Sequence, residues 1–221
     1  MRFSGVAVCL VLVPWLAVTA GACAGGKSTS RRAATSERLS SLYFPLKVGD
    51  RWVYEDAFLG RKQTYQVAIA REEAPGRYVA QMLPMVSDGK RYKPLEARFE
   101  VRPRGIFDGT RYLLEEPMEV GHKWMAIHDV KTAERFELIS LDAQADVPAG
   151  RFTGCAQTRS TIKLPHDESK VTDVTFCKGV GMVERVAWVH TPGKKSIEQW
   201  HLRLLSYESG GKRVYPKHLG D

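Results

Sequence analysis

Cysteine is scarce in this chain: four residues among 221. Cys9 and Cys23 fall in the first stretch, so the body holds only Cys155 and Cys177. They lack the C-x-x-C spacing and the helix N-terminus that make a redox-active pair. No apolar run is long enough to span a bilayer as a helix, since Val6–Val18 is too short. No window carries an amphipathic stripe of four helical turns. His122, His128, His166, His190, His201 and His218 show no metal-ligand spacing, so no metal is expected. Ser41, Ser160 and Ser206 sit in no nucleophile elbow. Gly179-Val180-Gly181 lacks the third glycine and the following helix of a nucleotide loop. The carboxylates form no recognisable catalytic pair. The expectation is a protein that is not an enzyme and has no cofactor. A dense basic cluster is missing too. Lys and Arg number 33 against 25 Asp and Glu, a net charge of +8, but both signs are mixed along the chain. That pattern reads as solvated strand faces and excludes a nucleic-acid partner. It leaves room for a weak attraction to anionic lipid head groups.

The start of the chain is more informative. Arg2, an apolar stretch and the small residues Ala20-Gly21-Ala22 form a secretory signal over residues 1–22. Ala20-Gly21-Ala22-Cys23 resembles the bacterial lipobox, with Ala20 where leucine is usual. The resemblance implies that Cys23 is acylated (diacylglycerol and an N-linked chain such as palmitate) and becomes the mature N-terminus. Ordinary secretion with cleavage before Cys23 is the other reading. More than one acyl chain is needed for stable anchoring, and a lipoprotein cysteine carries them. Ala24 follows the cysteine rather than Asp. By resemblance to the enterobacterial sorting rule this implies the outer membrane, facing the periplasm or the cell surface. Residues 23–41 are rich in Gly, Ser, Thr, Ala and charge and read as a flexible tether. Ser36–Leu42 has room for one or two helical turns.

From residue 42 to 208 the sequence is written in strands. WVYEDAF, QTYQVAIA, RYVAQML, ARFEVRP, ERFELISL and VTDVTFC alternate or carry β-branched and aromatic residues. Pro75-Gly76, Asp88-Gly89, Asp108-Gly109, Ala149-Gly150 and Pro192-Gly193 supply turns between them. The prediction is an all-β, antiparallel fold: a curved sheet or an open or half barrel, with residues 209–221 as a C-terminal tail. One hairpin can be registered. If Cys155 opposes Cys177, the turn centres on His166 within Leu164–Ser169, and Arg159 meets Asp173 across the strands. One face then carries Phe152, Ala156, Thr158, Ile162, Val174 and Phe176. The other carries Gln157, Arg159, Thr161, Asp173, Thr175 and both cysteines, which puts the disulfide on the wetter face. Closing a loop of about 20 residues stabilises by roughly 3 kcal/mol.

One phrase occurs twice. PLKVGDRW (Pro45–Trp52) and PMEVGHKW (Pro117–Trp124) share Pro, Val, Gly and Trp at the same spacing. Ala74–Tyr78 corresponds to Val147–Phe152, and Phe99–Phe107 loosely to Phe176–Val183. The reading is a duplication of one β-meander, over residues 42–113 and 114–208. In each copy proline enforces an extended entry, Gly49 or Gly121 a tight turn, and Trp52 or Trp124 opens a strand. FPLKVGDRWVY, VPAGRFTGC and KGVGMVERV resemble recurring phrases of largely uncharacterised bacterial cell-envelope proteins, many of them lipoproteins. That resemblance implies a β-rich envelope protein and no particular activity. By fold analogy it invites comparison with the open half-barrels of lipoprotein carriers. The leading expectation is a membrane-anchored envelope lipoprotein acting as a structural or partner-binding module. The alternative is a carrier of an apolar ligand or lipid, with Trp52, Tyr54, Trp124, Trp188 and Trp200 on a concave sheet. An unrecognised hydrolase stands behind both.

Overall fold

In RWVYEDAF, Trp52, Tyr54 and Asp56 are buried and their neighbours are more exposed, the strand period of two made visible. The computed structural model describes residues 38–85 and 92–216. The signal, Cys23, most of the tether and the last residues of the tail lie outside the described residues. A short helix α1 (Leu39–Tyr43) precedes the strands β1 (Arg51–Phe58), β2 (Arg61–Ala74), β3 (Arg77–Pro84), β4 (Leu95–Arg102), β5 (Gly105–Phe107) and β6 (Tyr112–Glu115). There follow β7 (Lys123–Ile127), β8 (Ala133–Val147), β9 (Gly150–Lys163), β10 (Ser169–Cys177), β11 (Gly181–His190), β12 (Ile197–Ser209) and β13 (Lys212–Tyr215).

Each strand of the first half pairs with the next, from β1 to β6, and each strand of the second half does the same, from β7 to β12. β1 pairs with β12 and joins the two meanders into one antiparallel sheet. The sheet curls nearly into a barrel with one unsealed seam, which lies between the edge strands β6 and β7. Side chains fasten that seam where backbone pairing does not. Trp124 Nε1 donates to Tyr112 O at 2.9 Å, and Arg111 reaches Glu134.

The repeated phrase adopts one geometry in both places. Gly49 N donates to Ile69 O at 3.0 Å and Ile69 N to Asp50 O at 2.9 Å. Gly121 N donates to Leu138 O at 2.7 Å and Leu138 N to His122 O at 2.9 Å. Gly49 has φ +92° and Gly121 φ +90°, a region in which glycine alone is comfortable. Trp52 and Trp124 are both buried.

The hairpin of β9 and β10 has the expected register. Arg159 lies opposite Asp173, and the two pair through a double hydrogen bond at 2.7 Å. Leu164 N closes the turn on Glu168 O at 2.9 Å, with His166 and Asp167 in the left-handed region. Cys155 and Cys177 are bonded, their Cα atoms 4.3 Å apart.

Two details depart from the sequence reading. The disulfide is not on a wet face: Cys155 is 0% and Cys177 3% exposed. Both pack in a core cluster with Ala145, Val147, Phe152 and Val183. Phe152 was expected beside Ala156 and instead shares the cluster of the cysteines. The cause is a bulge at Gly154, φ +64°, where the β8 register slips between Ala143↔Cys155 and Ala145↔Phe152. An extra residue in a strand turns what precedes it to the other face. The second departure concerns the tail. β11 pairs with β12 only as far as Arg203, so Tyr207–Ser209 offer a free edge. β13 fills it, with Tyr207 opposite Tyr215, and the Tyr215 ring packs on Phe152 at 4.8 Å.

Candidate functional site

The barrel is not filled. It encloses a cavity of about 570 Å³, within the roughly 300–1,000 Å³ typical of small-molecule sites. The strand alternation that builds the wall also grades it. Along β1 the inward side chains run Trp52, Tyr54, Asp56, and along β2 they run Ile69, Val67, Tyr65, Gln63. Along β8 Phe136 gives way to Glu134, and along β10 Phe176 and Val174 give way to Thr172. One end of the cavity is therefore apolar and the other polar.

The N-terminal segment makes the apolar end. α1 is held by Gly179 N donating to Leu42 O at 2.8 Å and by Ser40 N donating to Glu116 Oε1 at 2.8 Å. It delivers Phe44 into a ring cluster with Phe99 at 5.5 Å, Phe176 at 5.7 Å and Trp52 at 6.3 Å. Gly181, φ +98°, makes room for it, since a Cβ there would lie 2.8 Å from the Phe44 ring. The polar handles of the floor aromatics are consumed by β11 and the turn before it. Trp52 Nε1 donates to Val180 O at 2.6 Å and the Tyr54 hydroxyl to Met182 O at 2.8 Å. Burial pushes the Tyr54 pKa well up, so these rings present apolar surface.

The polar end is a set of satisfied carboxylates. Asp56 accepts from Gln63 Nε2 at 2.9 Å and from Trp200 Nε1. Arg111 bridges Asp108, at 3.2 Å, and Glu134. Glu134 also meets His128 Nε2 at 3.0 Å and accepts from Ser160. Burial raises the Glu134 pKa, but the Arg111 charge and these hydrogen bonds outweigh it, and the carboxyl is held below its ordinary value. Arg185 differs from all of these. Its guanidinium lies over the Trp200 ring at 4.2 Å, and its buried Nε has no hydrogen-bond partner among the described residues. Pro84 and the 68% exposed Leu95, at the facing ends of β3 and β4, also line the cavity. The strand ends and turns on that side also expose Phe58, Leu59, Met85, Ile127, Val130 and Ile197.

Of the five aromatic residues singled out in the sequence, Trp52, Tyr54 and Trp200 line this cavity. Trp124 does not: it stacks on Phe136 at 5.3 Å and fastens the seam. Trp188, half-buried on β11 between Val171 and Glu198, is also outside the wall. Sequence reasoning missed Phe44, Asp56, Arg111, Glu134 and Arg185. The signal for Asp56 was present, because it shares strand parity with Trp52 and Tyr54. Arg185 gave a weaker one, as a charge within the alternating GMVERVAWVH.

No protein-family model matches the chain, and no curated protein matches it. Among solved structures, a putative lipoprotein from Parabacteroides distasonis ATCC 8503 is similar in shape, with a TM-score of 0.48 and 13% identity over 76% of this chain and 98% of that one.

Proposed function

We propose that this chain is a cell-envelope protein, anchored through Cys23, whose barrel binds an elongated apolar ligand. The observation that carries the reading is the cavity of about 570 Å³ with its aromatic floor. A scaffold or docking module has no use for an unfilled core, because unfilled apolar space forfeits packing contacts. This favours the binder over the plain structural module. The arrangement at Ser160 speaks against a hydrolase: its neighbour is Glu134, already committed to Arg111 and His128, so this carboxylate is not a free base for the hydroxyl. The ring of exposed apolar side chains at the mouth suits a ligand that moves between the barrel and an apolar phase.

The test uses the full chain carrying Cys23→Ser, so that no acyl anchor is added. Native mass spectrometry in the absence of detergent should show an adduct of lipid mass, removed by organic extraction. Ala97→Trp, which places an indole in the cavity wall, should abolish the adduct and leave the far-UV spectrum unchanged. An apo mass for the parent protein, with no response of its tryptophan fluorescence to added fatty acid or fatty alcohol, refutes the reading.

A further inference from the structure

Among the described residues Arg185 is a cation of the cavity wall whose buried Nε has no hydrogen-bond partner. A guanidinium carries five N–H donors and no acceptor. Among the described residues Arg185 makes no hydrogen bond and no ion pair, and its guanidinium rests on the face of Trp200. A buried donor left unpaired costs the full desolvation of the group. The nearby carboxylates do not serve it. Asp56 is taken by Gln63 and Trp200. Asp108 and Glu134 are taken by Arg111, with Thr110 and His128 as further donors.

A second cation lies on the neighbouring strand. Lys170 is on β10, on the strand face of Thr172 and Val174, which line the cavity. Val174 lies directly opposite Arg185. Lys170 likewise has no hydrogen bond or ion pair among the described residues. Burial holds the Lys170 pKa below its usual value, and the charges of Arg185 and Arg111 add to that against an upward pull from Glu134. Arg185 is lowered by burial and then by Arg111, against a weaker upward pull from Glu134, Tyr65 and Asp108. Cations held down by burial and by a neighbouring like charge mark a place where an anion gains.

The depth of the cavity adds the rest of the ligand. From Ile69 to Gln63 the wall of β2 rises about 20 Å, apolar at the floor and polar at the top. A long acyl chain matches that shape when its headgroup ends beside Arg185.

We propose that Arg185 and Lys170 form an anion site for the headgroup, carboxylate or phosphate, of a single-chain amphiphile whose tail lies on the floor of Phe44, Trp52 and Phe176. The inference rests on the cavity being a ligand site. Arg185 meets the two headgroup oxygens side by side, as guanidinium does with either oxyanion, and Lys170 adds a point charge.

Hexadecanoic acid, hexadecyl phosphate and hexadecanol are the probes, titrated into the full chain carrying Cys23→Ser at mildly alkaline pH, with tryptophan fluorescence as readout. At least one of the two anions binds about tenfold or more tighter than the alcohol, the scale of one hydrogen bond to a charged group. Which anion wins identifies the headgroup. Arg185→Gln removes the preference, so that the anions bind no tighter than the alcohol; Lys170→Gln reduces it. Arg185→Lys keeps part of it, which also guards against misfolding of the glutamine variant. Equal affinity for all three probes overturns the headgroup site while the apolar cavity stands. Binding of none overturns the cavity reading itself, and the headgroup site with it. A preference that survives in both Arg185→Gln and Lys170→Gln assigns the anion to other residues and refutes the proposal.

Discussion

Replacing Gly181 by alanine probes the floor of the cavity directly. At φ +98° an alanine is strained, which costs about 1–3 kcal/mol. The added methyl also lies 2.8 Å from Cδ2 and 3.1 Å from Cε2 of Phe44, and 3.5 Å from Nε1 of Trp52. Forcing that ring aside is an overpacking of about 1–3 kcal/mol. The two contributions separate in a double-mutant cycle. In a Phe44→Ala background the clash has no partner, so only the backbone strain remains. Gly181→Ala should therefore lower stability by about 2–6 kcal/mol in the parent and by clearly less in the Phe44→Ala chain. The coupling is about 1–3 kcal/mol. Gly105, at the corresponding turn of the first meander, is the control. Its Cβ would lie 2.0 Å from the Leu114 carbonyl oxygen, a backbone atom held by the β5–β6 pairing. No side-chain deletion relieves that clash, so Gly105→Ala should be as damaging with Phe44 as without it. Urea unfolding with the disulfide intact measures all of this through the midpoint at constant slope. Additive effects of Gly181→Ala and Phe44→Ala would refute the placement of the Phe44 ring against β11.

Cys155→Ser should lower stability by about 3 kcal/mol, since the bond closes a loop of 22 residues, and leave ligand affinity intact at low temperature; loss of affinity in a folded variant would contradict this. Cys23→Ser should move the protein from the membrane to the soluble fraction with an unchanged far-UV spectrum, whereas release only by a high-salt wash would assign the anchor to surface charge. Glu134 has a folded pKa below its unfolded one, so its stabilisation is fully present above the ordinary glutamate range and fades as pH falls through the folded value. Glu134→Gln should therefore cost most near neutral pH, and the gap to the parent should close on acidification; a gap that widens in acid would reverse the assigned sign.

Much of this fold was legible, and for a definite reason. The strands carry their period in the sequence, and the hairpin of β9 and β10 was registered from a cysteine pair, a charge pair and one turn. What failed there was local: Gly154 inserts a bulge that no alternation rule marks, and it carried Phe152 to the face of the cysteines, which is itself buried. β13 was missed because its sequence, Lys212-Arg213-Val214-Tyr215, has little apolar content of its own. It exists because β12 outruns β11, a fact of sheet topology.

The site divides in the same way. Trp52, Tyr54 and Trp200 were named for the aromatic surface they offer, which composition advertises. Trp124 looked equivalent to Trp52 because the two share a strand-entry phrase and a buried ring. Position separates them. Trp52 opens β1, an inner strand of the sheet, and its indole N–H is taken by Val180 O of the facing wall. Trp124 opens β7, an edge strand, and its N–H crosses the seam to Tyr112 O. The same residue in the same local geometry therefore lines a cavity in one half and fastens a gap in the other. Arg185 was the hardest to read, since an arginine in a strand is ordinarily a solvated charge. Only the closing of the sheet turns it inward, beside carboxylates that other donors already occupy, and leaves its Nε without a hydrogen-bond partner among the described residues.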